Sequence, residues 1–226
     1  YRFFIDQYLP SKIETLIYLD ADIVCVSDPL DDIKYEIKEL KNSDFIISAR
    51  LENESLNKKL KLKSANYFNA GVMIIDKKKW IKNDIGKRLV KITSERHQDL
   101  EFWDQDSLNI LFDGNFCHMS KFLNFNLNMY PYENVINYEL DKNVKFIHYF
   151  GKFKPWTLKG IENKKTKYYQ NFYRQIYKEK YHLNDNWKVN TIKDLFKIIF
   201  TGKILKIRYP FSLIFLTIQF LFRNKK

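Results

Sequence analysis

The stretch "TLIYLDADIVCV", residues 15–26, decides how this chain reads. A short run rich in Leu, Ile and Val has the composition of a buried strand, yet it carries Asp20 and Asp22 in its middle. In an extended segment residues i and i+2 point to the same face, so the two carboxylates are expected side by side. Like charges so placed repel unless a cation sits between them. A hard divalent ion, Mg²⁺ or Mn²⁺, suits such a pair and can in turn bind a diphosphate.

Working outward, "SDFIISAR" (43–50) and "GVMIID" (71–76) read as two more strands. Residues 77–94 read as one helix, with Trp80, Ile81, Ile85, Leu89 and Ile92 on its apolar face. "WDQDSLNILFDGNF" (103–116) reads as a helix opened by Asp104 and closed near Asp113 and Gly114. Further strands are expected at 116–119 and 144–150, and the Lys-rich interval 51–64 reads as a surface loop or short solvated helix. Strands alternating with helices predict an α/β layered domain.

The chain has 226 residues, 45% of them hydrophobic, enough for one substantial core and a small appendage. Lys and Arg number 39 against 27 acidic residues, a net charge of +12 that points to a polyanionic partner. Cys25 and Cys117 show no ligand spacing and are expected as buried reduced thiols of a cytosolic protein. No secretory leader pattern opens the sequence at Tyr1.

The character changes from about Asn163. Residues 164–181 predict a helix with a stripe of Tyr169, Phe172, Tyr173, Ile176 and Tyr177, expected to dock on the main domain rather than to bind nucleic acid. The basic, apolar tail ends in Phe211–Phe222 followed by Arg-Asn-Lys-Lys. That run is shorter than the roughly 20 residues a membrane span requires. It is expected to lie on an anionic membrane surface, the alternative being a helix that completes the core.

Three more constellations bear on chemistry. "NYFNAGVMIID" (66–76) places Asn69, Ala70 and Gly71 at a small-residue corner where amide groups can approach a ligand. "WDQDSLN" (103–109) sets Asp104 and Asp106 at a helix start, where they serve as cap or first-turn charges, with Gln105 between them. In "IHYFGKFKPW" (147–156), His148 would add an imidazole to the carboxylates, which shifts the metal preference toward Mn²⁺. Gly151 frees the backbone there, and Lys154 suits a phosphate oxygen.

Together "YLDADIVCVSDPL", "YFNAGVMIID", "WDQDSLN" and "HYFGKFKPW", with the opening Tyr-Arg, resemble the family 8 glycosyltransferases, the bacterial branch that adds hexoses to lipopolysaccharide cores. The similarity runs from Tyr1 to about Tyr181. It implies a GT-A fold, a Rossmann-like mixed sheet flanked by helices, and transfer of galactose or glucose from a UDP-sugar with retention. It also implies that Asp20, Asp22 and His148 hold Mn²⁺ (or Mg²⁺), that Gly151 and Lys154 touch the diphosphate, and that Arg2 touches phosphate and donor sugar. Asn69, Ala70 and Asp104 would meet the donor hexose, with Gly71 beside them, and Gln105 would face the anomeric carbon.

The expected organisation is a partial transferase domain at 1–162, an amphipathic helix packed on it at 163–189, and a membrane-attachment segment at 190–226. The family's first strand and helix, which hold uracil and ribose, are expected to be missing before Tyr1. The acceptor expected is lipopolysaccharide or a related glycan, and the location the inner face of the cytoplasmic membrane. Two rivals stand. A haloacid-dehalogenase-like phosphatase fits Asp20–Val24 but lacks its second acidic motif. A non-catalytic membrane-surface binding protein would work through the tail alone.

Overall fold

The computed structural model describes residues 2–52, 60–127, 139–151, 153–184 and 188–222. Half of the Lys-rich interval, residues 53–59, and the terminal residues 223–226 lie outside that set. The chain divides into two compact units, Tyr1–Phe125 with Asn143–Ile147, and Asn126–Lys142 with His148–Lys226.

The first unit opens with a 3₁₀ segment, Arg2–Tyr8, followed by β1 (Thr15–Leu19), β2 (Ile23–Cys25), α1 (Leu30–Lys41), β3 (Ile47–Leu51) and β4 (Phe68–Asp76). Then come α2 (Lys77–Lys82), α3 (Ile85–Arg96), α4 (Trp103–Phe112) and the short strands β5 (Cys117–His118), β6 (Phe125–Asn126) and β7 (Phe146–His148). One sheet has the order β1-β4-β3-β5 and the other β2-β7-β6. β4 runs antiparallel to β1 and β3, whereas β3 and β5 are parallel, so the larger sheet is mixed.

β4 is the organising strand because its sequence is apolar on both faces. Met73 and Ile75 join a core with Trp80, Ile85, Leu89, Leu108 and Phe112 from α2, α3 and α4. Val72 and Ile74 point the other way, into a second cluster with Leu40 of α1, Met119 and Phe146. Phe68 and Ala70 belong to the first cluster, so the alternation changes phase at Gly71. The register of β3 against β4 shifts at the same place, between Ala49 and Arg50. Such a bulge bends the strand and re-aims its side chains.

Residues 15–26 are not one buried strand. β1 and β2 belong to different sheets, Ile17 and Leu19 are exposed, and Asp20–Asp22 form the turn between them. The amide of Asp20 donates to the Gly71 carbonyl at 2.8 Å, the last contact along β1, and the Ile23 amide returns to the Asp20 carbonyl at 3.3 Å. The expected helix 77–94 is likewise two helices. Asp76 caps α2 by accepting from the Lys79 amide at 3.0 Å, and Asp84 adopts a left-handed conformation that breaks the run. Ile81 consequently faces solvent.

The second unit contains α5 (Leu158–Glu162), α6 (Lys167–Tyr177), α7 (Lys188–Phe200) and α8 (Pro210–Phe222) around Leu158, Ile161, Leu195, Ile198, Ile204 and Leu213. The predicted helix 164–181 ends at Tyr177, where Lys178 turns left-handed. Its aromatic stripe is not buried, since Ile176 and Tyr177 are exposed and Gln170 is the buried position of α6. Both cysteines are free, as expected, but neither is fully buried, since Cys25 is exposed and Cys117 half-buried. Among the described residues no helix is long and apolar enough to cross a membrane.

Candidate active site

The site grows from the end of β1. Tyr18 and Asp20 lie two residues apart, and the Tyr18 hydroxyl donates to Asp20 Oδ1 at 2.7 Å. Arg2 is threaded beside them from the 3₁₀ segment. Its Nη2 donates to the same Asp20 oxygen at 2.6 Å and to the Tyr18 hydroxyl at 2.8 Å, its guanidinium lies 4.2 Å from the Tyr18 ring centre, and its Nε is 3.2 Å from Asp104 Oδ2. Burial, and then the bond to Asp20, push the Tyr18 phenol up to about 12, so it remains a proton donor to that carboxylate. Tyr18 is a site residue that sequence reasoning missed, although its two-residue offset from Asp20 was the available signal.

A second set of bonds ties the bulge of β4 to the start of α4. The Ala70 amide donates to Gln105 Oε1 at 2.9 Å, and Gln105 Nε2 donates to the Tyr67 hydroxyl at 3.0 Å. Tyr67 in turn donates to Asp106 at 2.6 Å. Asp106, fully buried, also accepts from the Glu101 and Phe102 amides, each at 2.7 Å. The two acids of "WDQDSLN" therefore divide their work, Asp106 holding the helix start and Asp104 facing Arg2. Asn69 Oδ1 accepts from the Gly71 amide at 3.0 Å and from Asn124 at 2.9 Å, while Asn69 Nδ2 donates to Glu52 at 2.8 Å. Tyr67, Glu52 and Asn124 are further partners that no spacing rule pointed to.

Asp20, Asp22 and His148 each offer one ligand atom, and these atoms lie within 4.8 Å of one another. His148 is the last residue of β7, whose Phe146 and Ile147 belong to the first unit, so that strand sets its position. Two carboxylates and an imidazole in such a cluster fit a divalent transition ion such as Mn²⁺ better than an all-oxygen Mg²⁺ site. Gly151 and Lys154 belong to the second unit. Gly151 has φ +95 and Lys154 Nζ donates to the Tyr149 carbonyl at 2.9 Å.

This arrangement can be set beside known proteins. The sequence profile of Glycosyl transferase family 8 matches residues 1–160. The chain belongs to that family. The family 8 chain is 30% identical over 163 residues to the lipopolysaccharide 1,3-galactosyltransferase of Salmonella typhimurium, covering 69% of the chain and 48% of that protein. It is also 30% identical over 175 residues to a lipopolysaccharide 1,2-glucosyltransferase of Escherichia coli, with the same coverages. The chain thus spans about half the length of these curated relatives.

Among solved structures it is similar to the galactosyltransferase LgtC in complex with donor and acceptor sugar analogs, at TM-score 0.53 and 24% identity, over 69% of this chain and 59% of that one. It is also similar to the glycosyltransferase GlyE of Streptococcus pneumoniae TIGR4, at TM-score 0.54 and 26% identity, over 69% and 38%. The fold is therefore GT-A, a mixed sheet flanked by helices. Family membership displaces the phosphatase reading of the Asp-x-Asp pair.

Proposed function

We propose that this family 8 chain carries the donor site of a retaining glycosyltransferase that moves a hexose, galactose or glucose, from a UDP-sugar to lipopolysaccharide or a related glycan. The observation that supports it most is the convergence of Asp20, Asp22 and His148 within 4.8 Å. A divalent cation bound by these three residues would set positive charge against the diphosphate oxygens, where negative charge builds as the sugar leaves. Lys154 and the backbone freedom at Gly151 suit contact with the same diphosphate.

The surrounding residues act by orientation. Arg2 and Tyr18 hold Asp20, and Arg2 holds Asp104, so a donor hexose would meet an Asp104 carboxylate already fixed in direction. Gln105 accepts from the Ala70 amide and donates to Tyr67, which fixes its direction while its oxygen keeps a second lone pair for the anomeric carbon. With no carboxylate assigned as a covalent nucleophile, front-face attack by the acceptor hydroxyl is the mechanism proposed.

The exposed apolar residues of the tail support attachment to an anionic membrane surface, and the location proposed is the inner, cytoplasmic face. Phe200, Phe211 and Phe222 are each more than four-fifths exposed, at 83%, 84% and 83%, among Lys and Arg. In this reading residues 1–162 transfer sugar and residues 190–226 anchor.

Calorimetric titration of UDP into the chain extended by the strand and helix that hold uracil and ribose, once with Mn²⁺ and once with EDTA, tests the core of the proposal. Binding is expected with Mn²⁺ only and is expected to vanish in Asp22→Asn. Absence of UDP binding in both conditions overturns it.

A further inference from the structure

The second unit contains a cavity of about 450 Å³, a size usual for small-molecule sites, and none of the residues assigned above lines it. Its floor is formed by Thr166, Gln170 and Tyr181, all buried. Their polar atoms are occupied within the fold. Gln170 bonds to the Pro155 and His182 carbonyls and the His182 amide, Thr166 Oγ1 donates to the Gly160 carbonyl, and the Tyr181 hydroxyl accepts from the Tyr209 amide. What the cavity offers a ligand is therefore its rim.

That rim is cationic. Arg174, Lys206 and Arg208 line it, together with Lys164 and Lys167. The carboxylates among the lining residues are Glu139 and Glu162, and Glu162 already pairs with Lys203 from outside. Five positive charges thus meet two negative ones. Arg174 and Arg208 approach the same ring, their guanidinium carbons 5.8 and 5.2 Å from the centre of Tyr209, with Lys180 Nζ at 4.8 Å. Among the described residues no carboxylate lies in ion-pair range of Arg174, Lys206 or Arg208; Arg174 donates instead to the Lys180 carbonyl and the Asn171 side chain. Burial, and then the charge of Arg208, push Arg174 below the usual guanidinium value. Arg174, Lys206 and Arg208 gathered in this way repel one another in the empty state and are favoured once an anion enters.

We propose that this cavity binds a phosphate monoester through Arg174, Lys206 and Arg208. These three cations suit a group that carries about −1.5 to −2 at neutral pH better than a singly charged diester or carboxylate. Two guanidiniums present planar forks suited to bidentate contact with phosphate oxygens. A soluble sugar or glycerol phosphate and the headgroup of a phosphatidic-acid-like lipid share this chemistry. Ile207 and Arg208 line the cavity and shortly precede α8, so a bound headgroup would lie within the proposed membrane segment, just ahead of its last helix. This inference does not depend on the donor site.

The experiment is titration of glycerol 3-phosphate into the protein in EDTA, which keeps the Asp20–Asp22–His148 cluster free of metal. Saturable binding is expected, weakened about tenfold in Arg208→Gln, comparably in Lys206→Gln, and unchanged in Asp22→Asn. Arg208 and Lys206 are exposed, so these variants should fold, and circular dichroism checks that they do. Vesicles of phosphatidylcholine with phosphatidic acid or phosphatidylglycerol, matched in surface charge, separate the two sources. Stronger recruitment by phosphatidic acid that is lost in Arg208→Gln identifies a lipid headgroup. Equal recruitment by both vesicles, with glycerol 3-phosphate still bound, identifies a soluble monoester. No saturable binding of glycerol 3-phosphate, or equal affinity in wild type and Arg208→Gln, overturns the proposal.

Discussion

At the scale of single residues, Tyr18 carries the clearest prediction. It shares Asp20 Oδ1 with Arg2, and partners that orient a metal-ligating carboxylate typically matter ten- to a hundredfold for affinity. Tyr18→Phe is expected to weaken Mn²⁺ binding by about tenfold with little loss of stability, measured by metal titration beside thermal unfolding; unchanged affinity would remove Tyr18 from the site. Glu36 offers a separate test in the core. It accepts from the Ser120 amide at 2.9 Å and Ser48 Oγ at 3.3 Å, and burial pushes its carboxyl above the ordinary 4.5. A carboxyl raised in the folded state contributes stability below pH 4.5 that is lost as pH rises through the folded value. Glu36→Gln is therefore expected to remove this carboxyl's loss of stability as pH rises above 4.5. Denaturant midpoints across that range measure it, and an undiminished slope counts against the assignment.

At the scale of elements, the bulge in β4 and the turn after β1 act as one device. The Gly71 carbonyl ends β1 by accepting from Asp20, and the Gly71 amide is held by Asn69, so the strand pairing that builds the sheet also sets where the carboxylates emerge. α5 shows a comparable constraint. A Cβ on Gly160 would lie 1.8 Å from the Lys154 carbonyl oxygen, a backbone atom that cannot yield cheaply. Gly160→Ala is expected to destabilise the second unit by about 1–3 kcal/mol and to displace the turn that presents Lys154. Urea unfolding and the Lys154 amide signal report the two effects, and a variant as stable as wild type would refute the close packing.

At the scale of the whole molecule, large apolar side chains are exposed along α7 and α8. The exposed phenylalanines of α7 and α8 predict that Phe211→Ser with Phe215→Ser lowers cosedimentation with anionic vesicles several-fold while UDP titration is unchanged. Equal cosedimentation would leave the tail without its proposed role.

The α/β class, the resemblance to family 8 and the three residues that gather as a candidate metal site were legible in the amino-acid order, because apolar runs and motif spacing are local properties that survive without coordinates. Folding in three dimensions divides residues 15–26 between two sheets, pairs Asp104 with Arg2 while Asp106 accepts from the Glu101 and Phe102 amides, and bonds Tyr18 to Asp20 and Tyr67 to Gln105 and Asp106. The physical reason is that hydrogen bonds join residues far apart in the chain, such as Tyr67 to Asp106 and Arg2 to Asp20. Sequence periodicity describes which side of an element is apolar, but it does not describe which element will meet it.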